Sequence, residues 1–269
     1  QPSWLRTAAR RLRRRLPVSN LAKAGNPSQA YCVSTVFGGP VVAPRLAGME
    51  RSAFSLSGGI IWHVRAARFL GRWRGFVHGV HDWLLSWQHE SENLLLLGPS
   101  AGWCLPDDLL TKFRQIVAVD LDPLAPVLFG WRHGRAMRAG GTSIKWLRLD
   151  VFTVIDDLLA RYPAHAVLFC NLLGQHFVCS RNVEETTREL ARVSRLLHGR
   201  KWASFHDRLS RPWQDGTTMP REFTCAGRIT SMEVARLAGV AGVWHDHLTG
   251  EILPAAAHRH YFSWPITPQ

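Results

Sequence analysis

The sequence has no run of about 18 uncharged apolar residues, so nothing in it reads as a membrane-spanning helix. Its basic N-terminus lacks the apolar stretch and small-residue cleavage site of a secretory signal. Cysteine is sparse, and Cys32, Cys104, Cys170, Cys179 and Cys225 form an odd, scattered set with no Cys-x-x-Cys. That usage points to reduced thiols in a cytoplasmic protein, and against a disulfide framework or a thiolate zinc site. Acid is missing altogether from residues 1–48, where Arg6, Arg10, Arg11, Arg13, Arg14, Arg15, Lys23 and Arg45 stand alone. Those eight cations supply most of the net charge of +13, so the remainder of the 269-residue chain is only mildly basic.

What is present suits a cored globule of one or two domains: 46% of residues are apolar and 20% charged. Gly, Pro and Ser interrupt residues 17–48, and no hydrophobic period survives there. Residues 1–48 read either as a disordered arm with weak attraction for a polyanion or as a solvated, dispensable extension. The chain opens on Gln and its first methionine is Met49, so the working domain is expected to begin near that point. A helical segment over 49–90 is then expected to pack on an α/β domain over 91–269.

Residues 60–87 carry the clearest helical period. Ile60, Val64, Ala67, Leu70, Trp73, Val77, Val80, Leu84 and Trp87 recur at three- and four-residue spacing, with Arg65, Arg68 and Arg72 mostly off the stripe. Ala67, Gly71, Gly75 and Gly79 form a ridge of small residues suited to close packing. Two readings stand: a helix capping the core, or an Arg/Trp helix lying on RNA or a membrane surface.

From Asn93 onward strands and helices alternate. Strands are predicted over 94–97, 116–119, 144–149, 166–169 and 202–205, with helices over 107–113, 124–138, 153–161 and 184–197. That alternation predicts a Rossmann-like, mostly parallel sheet wound on both faces. A short helix over 232–237 precedes two further strands over 240–247 and 258–264. The link between them lacks a helical period, which predicts an antiparallel hairpin and seven strands in all.

The run Leu94-Leu95-Leu96-Leu97-Gly98-Pro99-Ser100-Ala101-Gly102 is a buried strand entering a turn of small residues. Such a turn brings backbone close to a ligand. Asp120 ends the second strand, where a carboxylate accepts the hydroxyls of a ribose; Asp150 ends the third and Asn171 the fourth. A dinucleotide turn would read Gly-x-Gly-x-x-Gly, and its absence disfavours a nicotinamide-dependent reductase.

In this order the segments resemble the class I S-adenosylmethionine-dependent methyltransferases over about residues 90–264. The resemblance implies that Gly98, Ser100 and Gly102 cradle S-adenosylmethionine and that Asp120 holds its ribose. It places Asp150 beside the adenine, with Val151 or Phe152 packing on the ring, and Asn171 toward the methyl donor. Leu96 stands where the family usually has an acid, and Ser100 replaces the middle glycine. Asn171-Leu172-Leu173-Gly174 lacks the Pro-Pro-aromatic of enzymes that methylate nucleobase or glutamine amide nitrogen.

Thirteen histidines are also present. His206 after the fifth strand and His176 beyond the fourth are candidate general bases. His245 with His247, and His258 with His260, are each co-facial on a strand. Paired across a hairpin, the four read either as a surface for zinc, nickel or copper or as half-exposed imidazoles facing water. The leading function is methyl transfer to an unidentified acceptor. Its alternative is a non-catalytic methyltransferase-like domain that binds RNA or a protein partner, which Leu96 and Ser100 favour.

Overall fold

The computed structural model describes residues 59–71, 74–180, 182–206, 209–210, 223–225, 245–246, 249 and 259–261, all within the unit Arg51–Gln269. Helices α1 (Gly59–Phe69) and α2 (Arg74–Ser86) lead into β1 (Asn93–Leu97), α3 (Asp107–Leu110) and β2 (Gln115–Val119). Helix α4 (Ala125–Ala139), β3 (Ser143–Leu147), α5 (Val151–Arg161), β4 (Ala166–Cys170), α6 (Leu172–Ser180), α7 (Val183–Leu196) and β5 (Trp202–Phe205) follow. The five strands form one parallel sheet in the order β3-β2-β1-β4-β5.

The strand signal was continuous apolarity, and its cause is burial on both faces. Leu94 and Leu96 point into a cluster with Val80, Trp83 and Leu84 of α2, Leu109 and Leu110 of α3, and Phe129 and Met137 of α4. Leu95 and Leu97 point the other way, onto Val151, Ile155 and Leu158 of α5 and Leu190 and Val193 of α7. One strand thus feeds two cores, because successive side chains alternate across a sheet.

Several expectations are corrected. The helix predicted over 60–87 is two helices with a turn at Leu70 and Gly71 between them. Gly71 is exposed, and a Cβ there would meet nothing within 4 Å. Glycine is worth about 1 kcal/mol less than alanine inside a helix, which makes this an inexpensive place to break. The small-residue ridge makes no tight seam, since Gly71 and Gly75 both face solvent. Before the break α1 turns inward His63 and Ala66, while Ile60 and Val64 of the expected stripe are 39% and 59% exposed. Polar anchoring of His63, described below, outweighs the two aliphatic contacts.

Further along, α3 covers only Asp107–Leu110, β3 stops at Leu147, and a helix not foreseen, α6, follows the fourth strand. The predicted terminal hairpin is also replaced. β8 (His245–Asp246) pairs antiparallel with β6 (Leu209–Ser210), and β9 (Arg259–Tyr261) with β7 (Phe223–Cys225). Among the described residues the large sheet has five strands, and these two pairs form separate two-stranded sheets. The helix predicted over 232–237 lies outside the described residues, as do residues 1–48. Among the described residues no helix is long and apolar enough to cross a membrane.

Candidate functional site

Strand order reverses at β1: the chain steps outward to β2 and β3, then returns to lay β4 on the other side of β1. In open α/β sheets the carboxyl edge at such a switch in strand order is where ligands bind. Left-handed backbone concentrates there, at Gly98 (φ 67°), Ser100 (φ 52°), Gly102 (φ 66°) and Asn171 (φ 53°). Ser100 and Asn171 are the only non-glycine residues with positive φ among those described. The conformation costs an L-residue roughly 1–2 kcal/mol, less for Asn than for Ser. Backbone bonds pin the loops after β1 and β4: Gly98 N–H donates to Val119 O at 2.8 Å, and Asn171 N–H to Phe205 O at 2.7 Å.

Asp120 joins the two sides of this turn. Its Oδ2 accepts the Ser100 N–H at 2.7 Å, and its Oδ1 accepts the Asp122 N–H at 2.9 Å. Each oxygen keeps a further lone pair. Burial pushes the Asp120 carboxyl above its ordinary value against the pull of those two N–H donors; Asp122 adds to the rise and His63 opposes it. Ser100 thus has a defined backbone role, whereas its Oγ is buried with no hydrogen-bond partner among the described residues. Ser100→Gly is expected to stabilise the chain by about 1 kcal/mol in a urea melt. It removes both the left-handed strain and the orphan hydroxyl, less the added chain entropy of glycine.

Asp122, two residues on, is tied to the N-terminal helix. Its Oδ1 accepts the Leu124 N–H at 2.8 Å, an Asx-turn before α4. Its Oδ2 lies 2.7 Å from His63 Nε2. Trp103 Nε1–H donates to His63 Nδ1 at 3.4 Å, so the Nε2–H tautomer satisfies both ring nitrogens. The Arg132 guanidinium lies over the Trp103 ring, 4.3 Å from its centroid.

After β3, Asp150 caps α5, accepting the Phe152 N–H at 3.1 Å. Of the two candidates for a ring-packing residue, Val151 is only 4% exposed and belongs to the core beneath the sheet. Phe152 beside it is half-buried. Phe152 stacks on His176 of α6 at 4.0 Å and 27°. The structure therefore brings His176 to Asp150 and Phe152. Asn171 and His206 keep company instead at the ends of the adjacent strands β4 and β5, where Ser204 Oγ bonds His206 Nδ1 at 2.7 Å.

Burial pulls the His176 pKa below its ordinary 6.5, with Asp150 and Glu185 opposing. A folded state that disfavours the imidazolium is fully stable above pH 6.5 and loses stability as pH falls below it toward the folded value. His176→Phe, which keeps the stack, is expected to flatten this slope. The slope reaches at most about 1.4 kcal/mol per pH unit for one proton and is read from urea melts between pH 7 and 5.

Of the four histidines considered as a metal surface, only His245 and His260 are among the described residues. His245 opposes Ser210 and His260 opposes Thr224, in different sheets, while His247 and His258 lie outside the described residues. Among the described residues no group of three or more His, Cys, Asp or Glu is placed to hold a metal. Of the cysteines, Cys104 is half-buried and Cys170 buried, both as free thiols.

Sequence reasoning passed over His63, Trp103, Asp122 and His133. Asp122 alone carried a local signal, an Asp before Pro at a helix start. The others are joined by long-range contacts that no spacing encodes.

The carboxyl edge of the sheet thus offers a carboxylate with lone pairs beyond its two N–H bonds and a turn pinned by backbone hydrogen bonds. The chain matches no family model and no curated protein. Among solved structures it is similar to the N-methyltransferase NodS from Bradyrhizobium japonicum WM9 in complex with S-adenosyl-L-homocysteine. Identity there is 15% over 61% of this chain and 90% of that one, with a TM-score of 0.36. An O-methyltransferase family protein from Burkholderia thailandensis is 11% identical over 56% of this chain and 41% of that one, at a TM-score of 0.35. The N-terminal domain of EvdMO1 with SAH bound is 15% identical over 72% of this chain and 65% of that one, at 0.29. At such scores the functional reading rests on the chain's own residues.

Proposed function

We propose that this protein transfers a methyl group from S-adenosylmethionine to a nucleophilic acceptor. The observation that carries the reading is the Asp120 carboxylate, bonded to the Ser100 N–H of the β1 turn at the strand-order switch. When bound, S-adenosylmethionine supplies an electrophilic methyl group on a sulfonium centre. Gly98, Ser100 and Gly102 shape the turn against the methionine end, and the remaining lone pairs of Asp120 accept the ribose hydroxyls. Asp150 and Phe152 flank the adenine, with His176 backing Phe152. Asn171 and His206 face the acceptor, where His206 takes up the proton that a nucleophile releases. Methyl transfer needs chiefly alignment of donor and acceptor, which a pinned turn provides.

In this reading residues 1–48 are an extension outside the working unit, 49–90 the helical segment that packs on it, and 91–269 the methyltransferase-like domain. Calorimetric titration of the full chain with S-adenosylmethionine and S-adenosylhomocysteine tests the proposal. Micromolar binding of either ligand is expected, and absence of binding by well-folded protein overturns it.

A second reading, a non-catalytic domain that binds RNA or a protein partner, is favoured by Leu96. The position where the resembling family has an acid is wholly buried in apolar core. Steeply salt-dependent RNA binding, lost on replacing the exposed Arg68 and Arg74, would support it over the first.

A further inference from the structure

The Gly102 carbonyl turns into the protein. It accepts the Leu105 N–H at 3.1 Å and lies 3.0 Å from His133 Nε2. His133 stands on α4, is 4% exposed, and places Nδ1 2.6 Å from Asp107 Oδ1 at the start of α3. A carbonyl can only accept, so the Nε2 contact is an N–H donor. Burial draws the His133 pKa down, while the bonds to Asp107 and Gly102 hold it up. Arg132 and His81 are the other charged or titratable groups that face it, and Phe129 packs on its ring at 4.7 Å.

The imidazole is thus a strut between a carboxylate and the last peptide of the turn. It also explains the residue at its end. A Cβ on Gly102 would lie 2.5 Å from His133 Nε2 and 2.9 Å from Phe129 Cε2, on backbone already left-handed. Neither neighbour is the loose end of a flexible chain, so the strut and any side chain at 102 exclude each other.

We infer that His133 is a positioning residue: through its bond to Gly102 O it sets the turn that presents the Ser100 N–H to Asp120, and thereby the ligand site. The inference rests on the proposed S-adenosylmethionine site for its effect on affinity. It does not rest on that site for its effect on the loop. Of the residues assigned to the ligand, His133 is bonded only to Gly102.

The test uses the full chain with His133→Phe, which fills the space without a donor, and His133→Gln, which restores one. The Gly102 and Leu105 amides, bonded to Pro99 O and Gly102 O, report on the loop by hydrogen exchange without ligand. His133→Phe is expected to speed their exchange about tenfold and to weaken S-adenosylhomocysteine binding by a similar factor, the worth of one hydrogen bond. His133→Gln is expected to stay near wild type in both. Should His133→Phe fail to fold, His133→Gly with millimolar imidazole replaces it, and recovery of slow exchange with imidazole but not with 1-methylimidazole is expected. Exchange in His133→Phe equal to wild type, an equal loss in Phe and Gln, or no response to imidazole overturns the inference. Wild-type protein that binds no S-adenosylhomocysteine sinks the cofactor reading alone, and the exchange measurement still decides the role of His133.

Discussion

Leu96→Asp is expected to destabilise the protein by about 5 kcal/mol or more, enough to abolish folding in a domain of ordinary stability. Leu96 is fully buried on the middle strand, against the cluster that includes Val80, Trp83, Leu84 and Phe129. Truncating a core leucine costs roughly 2–5 kcal/mol by itself. The carboxylate then has to ionise in apolar surroundings or stay protonated with its polar atoms unmatched, which adds more. Soluble yield and a urea melt check this, with Leu96→Met as a control expected to lose less than about 1.5 kcal/mol. A stable Leu96→Asp would mean that water or a buried donor reaches this position. The expected loss has a functional side as well: the acid usual in the resembling family cannot be reinstated by one change.

Asp120→Ala is expected to remove S-adenosylhomocysteine binding, with affinity falling about a hundredfold or more, while the fold survives. The Ser100 and Asp122 N–H groups lose their acceptor, and each unmatched donor costs roughly 1–3 kcal/mol, so stability should drop by about 3 kcal/mol. Calorimetry and a urea melt on the same sample separate the two effects. Asp120→Asn isolates the charge. Because burial raises the Asp120 pKa, the folded state holds that proton more tightly than the unfolded chain does. Its contribution is present at acid pH and is lost as pH rises from the ordinary 3.8 through the raised folded value. The asparagine variant should lack that decline. Retention of full affinity by Asp120→Ala would end the assignment of the ribose site.

The middle of the sheet was legible because β1, β2 and β4 are buried on both sides and so read as apolar runs, as in Leu94–Leu97. The site's skeleton was legible for a related reason: polar or small residues directly after such runs mark the sheet edge where ligands gather. What could not be read depends on contacts distant in sequence. Helix α1 shows a stripe through Ile60 and Val64, yet the face that turns in is set by His63 reaching Asp122 at 2.7 Å. Helix α6 was missed because Gln175 and His176 stand side by side in a mostly apolar stretch and give no helical period. The terminal pairing failed for a deeper reason. Alternation says that residues around His245 and His260 can be strands, and says nothing of which partner each will take. Val151 and Phe152 were indistinguishable as neighbours in sequence; the helical turn after Asp150 sends Val151 into the core and stacks Phe152 on His176.

The position of β1 also bears on how the chain is made. Leu94–Leu97 pairs first with residues 116–119, which leave the ribosome soon afterwards, but its other edge awaits residues 166–169. At about 5–20 residues per second, those roughly seventy residues take some 4–15 seconds to arrive. Throughout that interval β1 presents a row of leucines with unpaired backbone along that edge, the kind of edge that captures another chain. Slow translation between residues 120 and 165 would lengthen the exposure, and chaperone dependence should grow with it. The strand that organises the finished molecule is the one most in need of protection while it is being built.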